Sequence, residues 1–161
     1  MDPNRLNSEA RLNGAAEFIG VAKLPRWGIR FDLYSINEGC GVTDIVPSKR
    51  ETVQGVLYRV PYQTVVAPRG ERSAMDKIEG AGLGKRSNYK RLRVFVSRNG
   101  KKIEARTYVG TVSGRKRFLK KSDDEHRASN RYFGYVLTGA RRYKLPANYV
   151  AYLRRQAGHI R

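Results

Sequence analysis

Two runs of alternating apolar and polar residues, 89–98 and 102–109, flank the dipeptide Asn99-Gly100. Strict alternation is typical of a half-buried strand, and Asn-Gly tolerates positive φ at both central positions of a type I′ turn. The sequence therefore predicts a β-hairpin, which commits any fold of this chain to an antiparallel pair. The apolar residues that would share one face are Leu92, Val94 and Val96 in the first strand and Ile103, Ala105, Thr107 and Val109 in the second.

Four shorter runs upstream of the hairpin have the β-branched and aromatic content of strands. They are separated by segments with Gly and Pro, which are typical of turns. The predicted strands cover residues 15–24, 29–35, 42–47 and 53–60, and the predicted turns lie at 25–28, 39–41 and 47–48.

Helical signals occupy both ends of the chain and one segment before the hairpin. At the N-terminus, Asp2-Pro3 has the N-cap and first-turn chemistry of a helix start. The other helices are predicted from apolar residues at helical spacing, whereas the polar, basic residues 111–126 are expected to form a mobile loop. The predicted helices cover residues 3–12, 71–79, 127–142 and a stretch after Pro146.

The expected element order is a helix, six strands with a helical turn between the fourth and fifth, and two helices. Neither an internal repeat nor a Pro/Ser linker divides the chain, so residues 1–161 are expected to form a single domain. This order predicts an α+β fold with a mainly antiparallel sheet or small barrel.

Positive charge is the strongest feature of the composition. The chain has 33 Lys and Arg against 14 Asp and Glu, a net charge of +19. Residues 85–121 contain 14 of these cations and a single acid, Glu104. On the predicted hairpin, Arg91 and Arg93 share the outer alternation with Tyr89 and Phe95, and aromatic rings among arginines can stack on bases. Binding of nucleic acid or another polyanion through residues 85–121 is therefore one functional hypothesis, although no recognised nucleic-acid-binding motif is present.

Several other classes of chemistry find little support. The single cysteine, Cys40, excludes an intrachain disulfide, and His126 and His159 lack the spacing of metal ligands. The segment Gly80–Lys85 has glycines and a lysine, but Glu79 stands where a phosphate-binding loop needs glycine, and Arg86 follows where it needs Ser or Thr. A nucleotide or metal site is therefore not predicted.

Targeting features are also absent from the sequence. No apolar run approaches the 18 residues that a membrane-spanning helix needs. The first residues have no apolar signal core. We therefore expect a cytoplasmic protein that has no membrane partner.

Glu79 is the acid with the most distinctive neighbours. It ends the predicted helix 71–79, Gly80 follows it, and the glycine-rich stretch leads to the strand that begins at Tyr89. Taken alone, a glutamate in this position is more often a solvated helix terminus than a catalytic group.

Segments along most of the chain, taken in order, resemble the γ-glutamylcyclotransferase family, also called AIG2-like. The match spans about residues 15–155, and the order and spacing of its parts are more specific than any one of them. The segments that carry it are residues 18–27, 29–31, 41–48, 53–58, 75–80, 89–91, 105–109, 129–132, 139–140 and 145–146.

The resemblance implies a small mixed, mainly antiparallel barrel with flanking helices and a central cavity. The implied reaction is intramolecular acyl transfer: the α-amine of a γ-glutamyl substrate attacks its own side-chain carbonyl, giving 5-oxoproline and releasing an amino acid or amine. No metal or organic cofactor is implied. The family's glutamate corresponds to Glu79, the general base and acid, and the substrate-binding positions correspond to Tyr89, Tyr132 and Gly80.

One departure from the family concerns the N-terminus. Members of the family open with a strand that ends in a Tyr-Gly-Ser-Asn loop, whose backbone N–H groups hold the glutamyl group. Here residues 1–6 resemble the helix that follows that loop, so the first strand and loop are missing, by truncation or by true loss. Without that strand, sheet edges would be exposed and would favour pairing with a second copy as a homodimer.

Overall fold

The computed structural model describes residues 3–82 and 84–158. Four antiparallel strands form one sheet in the order β2-β1-β3-β4, and short and long helices flank it. The strands are β1 (Glu17–Ser35), β2 (Cys40–Arg59), β3 (Tyr89–Arg98) and β4 (Lys101–Gly110). The helices are α1 (Pro3–Leu6), α2 (Tyr62–Val65), α3 (Ala74–Ile78), α4 (Val112–Phe118), α5 (Asp123–His126), α6 (Asn130–Arg142) and α7 (Ala147–Gln156), with a 3₁₀ turn at Gly84–Arg86.

This architecture confirms the predicted α+β class and the mainly antiparallel sheet. The predicted hairpin is confirmed residue by residue: β3 and β4 pair in continuous register from Tyr89 opposite Gly110 to Arg98 opposite Lys101. Asn99 and Gly100 have φ values of 49° and 74°, as a type I′ turn requires.

The four short strands predicted upstream of the hairpin are joined in the structure into two long strands, β1 and β2. The chain reverses once, at residues 36–39, so the turn predicted near Gly39 is confirmed. The turns predicted at 25–28 and 47–48 are wrong, because both segments lie inside the paired strands β1 and β2. The buried face of β1 continues on both sides of Pro25, from Ala22 and Leu24 to Phe31 and Leu33. The shared core therefore keeps the strand in the sheet, and the turn-forming residues produce a bulge instead.

The predicted helix over residues 3–12 is wrong beyond Leu6. Residues 7–14 form turns, which the Asn7 side chain closes by bonding both the N–H and the carbonyl of Ala16 at 2.9 Å. Asparagine competes with the helical backbone for such bonds, which explains why helix α1 ends early.

The mobile loop predicted over residues 111–126 is also wrong, because this segment contains α4 and α5. Thr111 caps α4 by accepting the Gly114 N–H at 2.9 Å, and Ser122 and Glu125 form a capping box at the start of α5. Phe118, buried at the end of α4, anchors the segment to the protein. The Ser-x-x-Glu pattern of a capping box was the signal for order that the basic composition concealed.

The core lies between the sheet and the two C-terminal helices. Aromatic and aliphatic residues of β1, α6 and α7 form the larger cluster, which includes Phe31, Phe133, Tyr149 and Leu153. A second cluster of Leu33, Cys40 and Val42 packs against Tyr89 and Tyr132. Cys40 is thus a buried core residue, and α6 carries Tyr132 to the inner face of the sheet.

Asp44 joins the two outer strands of the sheet. Its side chain, 0% exposed, accepts the Gly110 N–H of β4 at 2.6 Å and the Ile45 N–H at 2.7 Å, and it pairs with the Arg115 guanidinium of α4. A Cβ atom at Gly110 would lie 2.3 Å from the Asp44 carboxylate, so this contact needs glycine. The sheet is therefore curled until β2 and β4 meet at one end, without closing into the complete barrel that the resemblance implied.

Asp44→Asn is expected to lower the free energy of unfolding by about 3–5 kcal/mol, because it leaves the part-buried Arg115 without its main counter-ion. Equilibrium urea unfolding at pH 7 measures the loss. Asp32→Asn is the matched control, since Asp32 lies 3.4 Å from the same guanidinium but is part-exposed. Burial, together with the charge of Asp44, raises the pKa of Asp32, so its charge opposes folding at pH 7 and its removal costs little. Equal losses in the two variants would contradict the assignment of Asp44 as the linking residue.

Candidate active site

Glu79 lies on a short, well-anchored loop between α3 and β3. It is the C-cap residue of α3, and Gly80 follows with a φ of 66°, a left-handed conformation that reverses the chain at little cost. Ala81 then forms a parallel bridge with Tyr89, the first residue of β3. The loop therefore places Glu79 beside the start of the hairpin.

Arg72 and Ser73 hold the same loop from its other side. The Ser73 hydroxyl caps α3 by accepting the Asp76 N–H at 3.2 Å. Arg72 donates to the carbonyls of Ala81 at 2.6 Å and of Asp76 at 2.7 Å. The side chains of Arg72 and Ser73 thus bind backbone groups of the loop, and these bonds fix the position of Glu79.

Two tyrosines meet at Thr43 on β2. Tyr89 donates its hydroxyl to the Thr43 carbonyl at 2.6 Å. Tyr132, from α6, accepts the Thr43 N–H at 3.1 Å and shares a hydrogen bond with the Thr43 hydroxyl at 2.8 Å. Residues distant in sequence, on β2, β3 and α6, are brought together at one point of the inner sheet surface.

A third tyrosine completes the group on the opposite strand of the hairpin. Tyr108 donates to Asp76 at 2.9 Å, and Asp76 also lies 3.5 Å from the guanidinium of Arg91, which donates to the Val65 carbonyl at 2.6 Å. Alternation along the hairpin predicts that Arg91 and Tyr89 lie on its solvent side, and that is wrong for both. The α3 loop covers this end of β3, so residues that alternate outward further along the strand point into the protein here.

Burial dominates the electrostatics of Glu79. It raises the pKa of the Glu79 carboxyl, and the positive charges of Arg11 and Arg5 act in the opposite direction. Burial likewise raises the pKa of Tyr89 and of Tyr132, and the charge of Glu79 contributes to both shifts. Part of the Glu79 surface nevertheless remains accessible. The site thus holds a carboxyl group that bulk water solvates poorly.

The N-terminal segment supplies the nearby cations. Arg5 pairs with Glu38, and its guanidinium lies 4.4 Å from the centre of the Tyr135 ring. Burial acts to raise the pKa of Glu38, but Arg5 and Arg131 outweigh it and lower that pKa. Arg5 is therefore fixed and largely neutralised, whereas Arg11 has no acidic partner within 4 Å among the described residues.

The structure brings Glu79, Gly80, Tyr89 and Tyr132 into one region, as their predicted roles require. The Gly80 N–H already donates to the Lys77 carbonyl at 3.3 Å, so what it contributes is the left-handed turn, and substrate binding by Gly80 stays a prediction. Sequence reasoning missed Thr43, Tyr108 and Arg11. The only signal for Thr43 was its place between apolar strand residues, which does not distinguish it from a structural threonine.

Cys40 and His126 are engaged in packing contacts. The Cys40 thiol lies 3.4 Å from the Ser129 hydroxyl within the core. The His126 ring stacks on Phe118 with centroids 4.2 Å apart, and His159 lies outside the described residues. Within residues 3–82 and 84–158, no group of three or more His, Cys, Asp or Glu side chains is arranged to hold a metal ion. In the same part of the chain, no helix is long and apolar enough to cross a membrane.

One family model matches this chain, and several solved structures share its fold. The protein-family model described as the AIG2-like family matches residues 52–153. A solved gamma-glutamyl cyclotransferase superposes with a TM-score of 0.74 at 22% identity, covering 95% of this chain and 80% of that one. An uncharacterized protein from Homo sapiens gives 0.68 at 23% identity, with 89% and 76% covered. YkqA from Bacillus subtilis gives 0.65 at 23% identity, with 88% and 45% covered. No curated protein sequence matches this chain.

Glu79→Gln is expected to leave the free energy of unfolding at pH 7 equal to or above that of the wild type. A carboxyl pKa that is raised in the folded state means that the charged form opposes folding above that pKa, and a neutral amide removes this cost. The difference should vanish as the pH falls below the ordinary carboxyl value of 4.5. Urea unfolding at several pH values measures it.

Glu38→Gln provides the control of opposite sign. The pKa of Glu38 is lowered, so its charge stabilises the fold above the ordinary pKa, and this stabilisation is lost as the pH falls through the folded-state pKa. Its replacement should therefore destabilise the protein at pH 7 and have no such effect in acid. Loss of stability at pH 7 in Glu79→Gln would show that the Glu79 carboxylate is a structural group.

Proposed function

The chain belongs to the AIG2-like family, and from this membership we propose that it is a γ-glutamylcyclotransferase-like enzyme. Its reaction would convert a γ-glutamyl group to 5-oxoproline and release an amino acid or amine. The observation that carries the proposal is Glu79, a poorly solvated carboxylate that stands on an anchored loop and has a raised pKa.

The chemistry asks for a base of this kind. The attacking group is an α-ammonium, which must lose a proton before it becomes nucleophilic. A carboxylate of ordinary pKa is a weak base toward an ammonium, and a raised pKa narrows that gap. No residue in the described ranges 3–82 and 84–158 donates a hydrogen bond to the Glu79 carboxylate.

In the proposed mechanism, Glu79 removes a proton from the substrate ammonium. The neutral amine attacks the side-chain carbonyl carbon, and the new C–N bond closes a five-membered ring with a tetrahedral oxyanion. Glu79 then delivers a proton to the leaving nitrogen as the original C–N bond breaks, and the ring nitrogen loses its second proton to the departing amine. Attack within one molecule gains most from correct positioning. The reaction transfers only protons and an acyl group, so it calls for no redox cofactor.

Substrate positioning is assigned to the groups that surround Glu79. We assign binding of the polar ends of the substrate to Tyr89 and Tyr132. The hydroxyl of each keeps free lone pairs in addition to the bonds that it makes with Thr43. The charge of Arg11 acts on the Glu79 carboxyl, and Arg11 has no acidic partner within 4 Å in the described part of the chain, which favours binding of the γ-glutamyl α-carboxylate nearby.

Glu79→Gln is expected to lower kcat for 5-oxoproline release by about 100-fold or more, the usual contribution of a general acid-base group. Wild-type and variant proteins are incubated with γ-glutamyl dipeptides and γ-glutamylamines, and 5-oxoproline is measured by chromatography. Glu71→Gln is the matched control, because Glu71 is an exposed acid in the residues preceding the same helix. Full activity in Glu79→Gln would remove Glu79 from the mechanism.

Binding of nucleic acid is a second candidate function, favoured by one feature of the hairpin. Arg93 and Arg106 are directly opposite each other on adjacent strands, an arrangement that destabilises a sheet through like-charge repulsion. Among the residues that the structure describes, the only acid within 4 Å of either is Glu104, 3.9 Å from Arg93, and Phe95 on the same face is 47% exposed. A bound phosphate chain would relieve the repulsion.

The face of the hairpin that could bind a polyanion contains fewer cations than the whole basic region 85–121. Arg91, Arg115 and Arg117 are used inside the protein, the last as a donor to the carbonyls of Lys85, Arg86 and Ser87. What remains on the hairpin face is Arg93, Phe95, Lys102 and Arg106.

Charge reversal of Arg93 and Arg106 together is expected to weaken binding of a single-stranded oligonucleotide at 150 mM salt by at least about 10-fold. Each lost phosphate contact removes affinity and flattens the salt dependence. Reversal of Lys116 and Lys120, which are exposed on and just after α4, makes the same change in net charge elsewhere in the basic region. Equal weakening by both pairs, measured by fluorescence anisotropy, would reduce the interaction to nonspecific attraction.

A further inference from the structure

The bulge between β1 and β2 is unusually wide. The pairing passes from Pro25 opposite Thr52 to Trp27 opposite Pro47, so Arg26 alone faces residues 48–51. An ordinary bulge sets two residues against one. An open concavity of about 570 Å³ lies at this bulge, lined by Arg26, Pro47, Ser48 and Lys49. We call this concavity the bulge pocket.

Glu51, the one acid among residues 48–51, does not neutralise the bulge pocket. Glu51 turns toward Arg30, with two N–O distances of 3.0 and 2.7 Å, and accepts the Tyr152 hydroxyl at 2.7 Å. The bonds from Arg30, then Tyr152, lower the pKa of Glu51 to about 2. A Cβ atom at Gly28 would lie 2.3 Å from the Glu51 carboxylate, so glycine makes this inward fold possible.

The two cations of the bulge pocket are therefore left without counter-charge. Neither Arg26 nor Lys49 lies within 4 Å of an acidic group in residues 3–82 and 84–158. Both are exposed at the rim. Ser48 is committed to Glu51 through its hydroxyl, which leaves the two cations as the groups that can bind a ligand.

Arg26 also has a backbone conformation that its residue type disfavours. Its φ is 64°, in the left-handed region that residues with a Cβ atom rarely adopt. Among the described residues, three others with side chains share this region. Asn13 and Asn99 tolerate it, and Lys144 ends α6, where the Leu145 N–H bonds the Ala140 carbonyl as in an ordinary helix terminus. Of these four residues, only Arg26 lies inside a strand, where glycine would adopt the same φ with less backbone strain. The side chain of Arg26 therefore serves something other than the fold.

We propose that the bulge pocket binds a small phosphorylated molecule through Arg26 and Lys49. A guanidinium can donate two parallel hydrogen bonds to a phosphate, and an ammonium adds a point charge that adapts to its position. The volume exceeds that of a phosphate alone and falls in the range of small-molecule sites, and Pro47 offers an apolar wall to the organic part. None of the lining residues belongs to the site around Glu79, so this inference stands or falls separately from the proposed enzymatic activity.

The test uses phenyl phosphate as the probe and benzoate as the control anion, with the whole protein in 150 mM salt. Backbone amide resonances are followed by NMR during titration. Saturable shifts centred on residues 26, 48 and 49 are expected with phenyl phosphate, and at least about 10-fold weaker binding with benzoate, because a phosphate dianion engages both cations.

Two variants separate binding from folding. Arg26→Gly should weaken binding of phenyl phosphate at least about 10-fold while unfolding in urea at the same or a higher midpoint, because glycine relieves the strained φ. Lys144→Gly makes the same chemical change at the other left-handed cation and should leave binding unchanged. The proposal is overturned if Arg26→Gly binds like the wild type, if Lys144→Gly weakens binding equally, or if Arg26→Gly is destabilised. Benzoate binding as tightly as phenyl phosphate would also overturn it.

Discussion

The buried carboxylate of Asp44 is the contact on which the arrangement of this protein depends. It binds the N–H of Gly110, at the end of the last strand, and the guanidinium of Arg115, on the helix that follows. A sheet of four strands has two free edges, and this single side chain brings them together at one end. Because the carboxylate has no exposed surface, a lost partner cannot be replaced by water, and the curl of the sheet depends on the complete set.

The candidate active site is built next to that junction. Thr43 precedes Asp44 on β2, and its polar groups receive Tyr89 from β3 and Tyr132 from α6. The curl that Asp44 maintains therefore positions the tyrosines. The α3 loop then covers the same end of the hairpin and sets Glu79 among them. A carboxylate enclosed in this way is poorly solvated, which raises its pKa and suits it to proton transfer with an amine.

Local signals in the sequence were sufficient to predict some elements of the fold. They were insufficient for the elements whose conformation depends on tertiary contacts. The Asn99-Gly100 hairpin and helices α6 and α7 follow from turn chemistry and periodicity alone. The two long strands do not, since only the shared core keeps Pro25 within β1. The candidate site divides in the same way: a family resemblance predicted roles for Glu79, Tyr89 and Tyr132, whereas Thr43 and Tyr108 join them only through the folding of the sheet. The inward face of Tyr89 depends on the loop that covers it, which alternation along β3 cannot reveal.

The pH dependence of 5-oxoproline formation by the wild-type protein tests the central claim most directly. If Glu79 acts as the base in its enclosed position, kcat/KM should fall in acid with an apparent pKa above the ordinary carboxyl value of 4.5, because a protonated Glu79 cannot accept the substrate proton. The measurement requires a γ-glutamyl substrate, a direct assay of 5-oxoproline and a pH range over which the protein remains folded. An acid limb at or below 4.5, or no 5-oxoproline from any γ-glutamyl peptide or amine, would contradict the account.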